Sequence, residues 1–171
     1  MAIRTMAAAT GGKWNEGWHT LEISEAFYGT WSEKRYLEMK FKDYPDNFSL
    51  RVYEAHNKET HEEFAVARLF RLANAGIVDE IESPDGKKAL QYDDEPSNFV
   101  GKSIQGFFYK NKDGYNRISD RIAPVVQEGD VLSYNEEQVT YWKDAAEKHW
   151  LERLKADAPA NPTTEEEEIP F

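Results

Sequence analysis

Tyr36-Leu37-Glu38-Met39-Lys40-Phe41 and Phe48-Ser49-Leu50-Arg51-Val52-Tyr53, joined across Tyr44-Pro45-Asp46-Asn47, decide the fold of this chain. In both runs apolar and polar residues alternate at period two, the signature of a half-buried β-strand. The Pro-Asp-Asn step between them favours a turn, so the two strands are expected to be antiparallel. Leu37, Met39 and Phe41 then face a core together with Phe48, Leu50 and Val52. Tyr36, Lys40, Arg51 and Tyr53 share the opposite face. Upstream, Gly17 to Phe27 alternates more loosely and predicts a strand before these two. Tyr28-Gly29-Thr30-Trp31-Ser32-Glu33-Lys34-Arg35 reads as the loop that follows it.

Downstream the period changes. Thr60-His61-Glu62-Glu63 has the form of a capping box, and Val66, Leu69, Phe70, Ala73 and Ile77 make a helical stripe that Gly76 would end. Ser83-Pro84-Asp85-Gly86 is a turn, and 87–98 reads as an acidic insertion with a short strand at 89–92. Asp113-Gly114 fits a two-residue type I′ turn between runs 102–112 and 115–123. That turn pairs Lys112 with Tyr115, Lys110 with Arg117 and Phe108 with Ser119. One face would carry Phe108, Lys110, Lys112, Tyr115 and Arg117, and the other Phe107, Tyr109, Ile118 and Ile122. Asn135 with Gln138 opens a last helix whose stripe is Val139, Trp142, Ala146, Trp150 and Leu154, and Pro159 and Pro162 stop it.

Three strands, a helix and a two-strand hairpin is the element order of an OB-fold. The expected class is therefore mainly β with helices: a five-stranded OB-fold barrel, one helix between strands three and four, and an added C-terminal helix. Other small β-barrels with an inserted helix share this order. The expected division is a flexible arm at 1–13, one domain at 14–156 and a disordered acidic tail at 157–171, where Ala, Pro, Asn, Thr and Glu cannot bury enough apolar surface to offset ordering entropy.

The 171 residues, 40% of them apolar, suit one domain with a core and extensions. There is no cysteine, which removes disulfides, thiolate metal sites and a cysteine nucleophile. Residues 1–12 are too short and too weakly apolar for a signal peptide or membrane span. A net charge of −11 argues at first against a nucleic-acid partner, yet the charge is segregated. From Glu136 onward ten acids face four bases, −6 of the total, and 54–95 holds eleven acids against five bases. Residues 101–121 reverse the balance: Lys102, Lys110, Lys112, Arg117 and Arg121 stand against Asp113 and Asp120.

OB-folds hold oligonucleotides on strands two and three and on the loops joining strands one to two and four to five. Those regions contain Trp31, Lys34, Arg35, Tyr36, Lys40, Arg51, Tyr53, Phe108, Lys110, Lys112, Tyr115 and Arg117. Aromatics interleaved with bases are what a single strand needs, because π-faces accept any stacked base and cations follow the backbone. The chain ends in Glu165-Glu166-Glu167-Glu168-Ile169-Pro170-Phe171, which resembles the acidic C-terminal peptide of bacterial single-stranded DNA-binding proteins. Gly106 to Ile118, with Lys-Asp-Gly-Tyr-Asn-Arg-Ile at 112–118, resembles the distal hairpin of phage single-stranded DNA-binding proteins with an OB core.

The resemblance implies a protein that coats single-stranded DNA without strong sequence preference during replication, recombination or repair. It also implies a tail that recruits partner proteins: the terminal ring enters an apolar pocket, its carboxylate meets a cation, and the acids steer encounter. No cofactor, metal, membrane or catalytic residue is expected, and a phage-encoded chain would act in the cytoplasm of its bacterial host. The extra C-terminal helix departs from the homotetrameric bacterial proteins, so oligomeric state stays open. Two other readings compete. An acidic interaction protein that mimics DNA would suit the overall charge. A metal-dependent nuclease would need carboxylates such as Asp93-Asp94-Glu95, or His56, His61, Glu62 and Glu63, although the last two fit a helix N-terminus.

Overall fold

The computed structural model describes residues 2–4 and 12–156, with backbone alone at 154–156. The tail at 157–171, the Leu154 side chain and most of the 1–13 arm lie outside the described residues. The order of elements is β1 (Gly17–Trp31), β2 (Lys34–Phe41), β3 (Ser49–Tyr53), α1 (Ala65–Ala73), β4 (Ile77–Glu82), β5 (Lys88–Tyr92), a 3-10 turn at Pro96–Phe99, β6 (Ser103–Lys110), β7 (Asn116–Ile118) and α2 (Glu136–Ala156). The chain is mainly β with two helices, and every ladder is antiparallel.

The β2–β3 ladder follows its alternation. Tyr36 pairs with Tyr53, Leu37 with Val52, Glu38 with Arg51 and Met39 with Leu50. Leu37, Met39, Phe41, Phe48, Leu50 and Val52 are all buried in one core with Leu21, Ile23, Phe70, Phe99, Ile104 and Phe108. β1 is long because it serves two partners. Its first half pairs with β6, from Gly17–Phe108 to Glu22–Ser103, and its second half with β2, from Ile23–Phe41 to Trp31–Lys34. The register breaks between Ile23 and Glu25, and an irregularity of that kind bends a strand and increases its twist.

The expected 28–35 loop is replaced by strand. β1 runs to Trp31, β2 starts at Lys34, and the chain reverses in two residues, Ser32 and Glu33, at φ 51° and 66°. Positive φ at both positions is the type I′ geometry that matches strand twist. Ser-Glu lacks the Asn-Gly signature of such a turn, so the sequence conceals it.

The five-stranded sheet has the order β3-β2-β1-β6-β7. In a flat sheet β3 and β6 would stand three spacings apart, on the order of 14 Å. Phe48, beside β3, nevertheless meets Phe108 of β6 with ring centroids 5.0 Å apart. The sheet therefore curls round its core, and Trp14 packs edge-on against Phe48 and Tyr44 at 5.0 and 5.1 Å. Among the described residues no ladder joins β3 to β7. Hydrogen bonding leaves the sheet open where a five-stranded barrel was expected.

Both ends of α1 differ from expectation. The helix starts at Ala65, after the Thr60 box, and its cap is Glu63: Oε2 accepts from the backbone N–H groups of Ala55, Ala65 and Val66, and Oε1 from that of Ala67. It stops at Asn74 in the left-handed region, so Ile77 belongs to β4 rather than to the stripe. The 89–92 strand is present as part of β5. Its partner β4 was not expected, since Val78-Asp79-Glu80-Ile81-Glu82 is exposed throughout and buries no alternating face. α2 matches its expected start: Asn135 and Gln138 exchange side-chain and backbone hydrogen bonds of 2.8 and 2.9 Å. Val139 and Ala146 are buried, and Trp150 packs at a tilt on Tyr109 with ring centroids 4.3 Å apart, so α2 covers the outer side of β6.

Candidate nucleic-acid interface

Residues directly opposite each other in a ladder share a face. With Leu37 and Met39 pointing inward, the β1–β2–β3 registers place Phe27, Gly29, Trp31, Lys34, Tyr36, Glu38, Lys40, Arg51 and Tyr53 on the outer face. Six of the candidate site residues, Trp31, Lys34, Tyr36, Lys40, Arg51 and Tyr53, are thus brought together. Trp31 leads the surface at 65% exposure.

Within this face Tyr36 is held down. A Cβ built on Gly29 would lie 2.4 Å from the Tyr36 hydroxyl oxygen and 2.5 Å from Cζ, so the ring lies across the bare glycine backbone. The Arg51 guanidinium is 4.0 Å from the Tyr36 ring centroid, and Tyr53 meets Tyr36 edge to face at 5.4 Å. Arg51 is itself fixed by Glu38, its Nε and Nη2 lying 2.9 and 2.8 Å from Oε1, while the Ser49 hydroxyl donates to Oε2. Hydrogen bonding to Tyr53 and pairing with Glu38 hold the Arg51 pKa above its ordinary value despite partial burial. Arg51 therefore acts as a clamp on two aromatic rings, its charge offset by a buried carboxylate. Lys34 and Lys40 form no ion pair among the described residues, and Lys40 Nζ stands 5.7 Å from the Phe27 ring centroid.

Arg35 leaves this group. It pairs with Thr30 and shares the inward side with Tyr28, whose ring its guanidinium covers at 3.8 Å, and it bonds Glu54 at 3.5 Å. Tyr28 donates its hydroxyl proton to the Asp94 carbonyl, and burial, reinforced by Asp94, pushes its pKa up to about 12.

The distal hairpin corrects an expected register. Phe108 pairs with Ile118, Tyr109 with Arg117 and Lys110 with Asn116. The turn has three residues, Lys112-Asp113-Gly114, with Gly114 at φ 83°; Asn111 closes it by accepting backbone N–H groups from Asp113 and Tyr115 on its side-chain oxygen. One extra loop residue exchanges the faces of β7. Phe108, expected on the basic face, is a core residue at 1% exposure, and Ile118 joins it. Arg117 moves to the side of Tyr109. Lys110, Lys112, Arg117 and Tyr115 remain exposed at the tip, Tyr115 at 64% with Arg117 5.9 Å from its ring.

Phe27, Gly29 and Glu38 were missed. Glu38 lies two residues from both Tyr36 and Lys40, so period two already placed it on their face; Phe27 and Gly29 needed the tight turn to be known. Glu165 to Phe171 lie outside the described residues. Among the described residues no group of three His, Asp or Glu is placed to hold a metal ion, and no helix is long and apolar enough to cross a membrane. Comparison with protein-family models, with curated proteins and with solved structures finds no match to this chain.

Proposed function

We propose that this protein is a single-stranded DNA-binding protein with an OB-like core, and that the outer face of β1–β3 is where the strand lies. The observation that carries the proposal is the co-facial set Trp31, Lys34, Tyr36, Lys40, Arg51 and Tyr53, with Phe27 beside it. Bases stack on Trp31 and against Tyr53, Lys34 and Lys40 follow the phosphates, and Lys110, Lys112, Tyr115 and Arg117 at the distal tip extend the track. Phe108 has no part in it. Action is stoichiometric: the protein covers exposed strands, and Ile169-Pro170-Phe171 behind Glu165 to Glu168 docks replication or recombination proteins in a cytoplasmic setting.

The test is a salt titration of fluorescently labelled oligothymidine. Each phosphate contact to a single strand contributes a slope of about −0.7 in log K against log salt. Binding that weakens steeply with salt supports the reading, and no binding at low salt removes it. Deleting Glu165 to Phe171 is expected to keep or strengthen DNA binding, since the acids repel phosphate, while abolishing partner capture. A truncated chain that binds DNA much more weakly contradicts the tail assignment.

A further inference from the structure

A second concentration of cations lies away from the β1–β3 face, where α1, α2 and the segment after β7 meet. Arg68 of α1 and Arg121 line one small cavity of about 50 Å³, whose remaining wall is apolar and includes Leu72, Ile122 and Trp142. Asp120 and Glu63 are the acids that act on Arg68, and neither forms an ion pair with it. Asp120 lies 3.6 Å from Arg153 of α2, and both oxygens of Glu63 are committed to the backbone N–H groups at the start of α1. Among the described residues Arg68 and Arg121 form no ion pair and no side-chain hydrogen bond; Arg121 repels the Arg68 charge, and Asp120 and Glu63 attract it at longer range.

Two guanidiniums lining one small, largely apolar cavity repel each other, and more strongly the less water lies between them. An oxyanion bound between them would offset that repulsion and accept from both forks. Arginine forks match phosphate geometry with paired N–H bonds. A water needs roughly 10–15 Å³ of such a volume, so the cavity has room for a group of about three to five heavy atoms and none for a nucleobase.

We propose that Arg68 and Arg121 form a phosphate-binding site in the cavity between α1 and α2, with Trp142 and Ile122 as its apolar wall. The surrounding potential agrees. Burial and then Arg121 draw the Arg68 pKa down against the pull of Asp120 and Glu63, and burial and then Arg121 do the same to His149 of α2, with Arg153 and Arg68 adding to the effect and Asp120 opposing it.

The experiment uses the full chain with inorganic phosphate. Thermal unfolding in phosphate is compared with sodium chloride at equal ionic strength and pH. A saturable rise of about 2–4 °C is expected for the unaltered chain, and no rise for the Arg68→Gln/Arg121→Gln variant. Equal melting in the two salts, or a rise that survives both substitutions, overturns the site. If the double variant does not fold, the His149 ring resonance of the unaltered chain reads the same place: phosphate beside Arg121 is expected to raise the pKa of that imidazole, and an unmoved His149 overturns the site equally.

Oligothymidine with a 5′-phosphate or a 5′-hydroxyl then separates the sources. Tighter binding of the phosphorylated strand, lost in the double variant, assigns a terminal phosphate. Equal binding that weakens in the variant assigns the strand backbone, and binding indifferent to the variant assigns free phosphate. The first arm contains no nucleic acid, so its failure is distinct from failure of the β1–β3 reading.

Discussion

Gly29→Ala is expected to unseat Tyr36, and with it the Tyr53 ring that packs on Tyr36, without unfolding the chain. The new Cβ would lie 2.4–2.8 Å from three atoms of Tyr36, about 1 Å closer than ordinary contact, and the obstructed atoms belong to a ring that packing holds in place. The ring must lift. Lifting it weakens the Arg51 contact at 4.0 Å, worth about 0.5–1 kcal/mol at an exposed site, and the Tyr53 contact at 5.4 Å, worth about 0.5–1.5 kcal/mol. Alanine gives back about 0.5–1 kcal/mol in a strand, because glycine loses more backbone freedom on folding. The net loss of stability is therefore about 0–2 kcal/mol, centred on about 1 kcal/mol. Affinity for oligothymidine falls further, by roughly 1–3 kcal/mol for the disturbed Tyr53 stacking surface, or about five- to 150-fold. Denaturant melts and fluorescence anisotropy measure the two effects. A double-mutant cycle decides the cause: with Tyr36→Ala in place the collision is gone, and Gly29→Ala should become neutral or stabilising. An unchanged penalty in the Tyr36→Ala background refutes the collision.

Three further outcomes follow from the same geometry. Trp31→Ala and Tyr115→Ala should each weaken oligothymidine binding, Trp31→Ala by roughly five- to 150-fold, with unaltered melting because both side chains are largely exposed; unchanged affinity in both variants removes the site assignment. Glu63→Ala strips the cap from four backbone donors and should lower stability by about 2 kcal/mol in denaturant melts, a cost under about 0.5 kcal/mol counting against the capping role. His149 is held below its ordinary value near 6.5 by burial first and Arg121 second, so the unfolded chain takes up a proton that the native chain resists. Stability should therefore fall as pH drops through about 6.5 and level off below the native pKa; His149→Gln should flatten that stretch of the stability profile, and an identical profile would contradict it.

The parts of this fold legible in the sequence are those where a single period runs uninterrupted. Leu37-Met39-Phe41 against Phe48-Leu50-Val52 fixes both faces of β2–β3, and Asn135 with Gln138 fixes the start of α2. What escaped depended on one residue of loop or on partners distant in sequence. Asp113-Gly114 supports either a two- or a three-residue turn, and the choice sends Ile118 in or out. Ser32-Glu33 adopts positive φ because long β1 and β2 over-determine it, with no local preference to announce it. β4 has no buried face for alternation to mark. Of the candidate site, Tyr36, Lys40, Arg51 and Tyr53 share a face that the β2–β3 alternation already marks, Trp31 and Lys34 join them only through the Ser32-Glu33 turn, and Phe108 and Arg35 leave because the turns beside them differ from expectation.

The way Phe48 meets Phe108 also bears on how the chain reaches this state. β1, β2 and β3 are neighbours in sequence joined by short turns, so they can assemble quickly and early, carrying the whole outer aromatic face with them. The core beneath them is sealed only when β6 arrives on β1, and α1 and the β4–β5 hairpin both lie in the intervening loop. Closing that long loop precedes any reward from the Phe48–Phe108 contact, so docking of β6 is expected to be slower than assembly of β1–β3. A nascent chain that has emerged only as far as Tyr53 would thus display its aromatic surface before it has a finished interior, a window in which nucleic acid and chaperones compete for the same side chains.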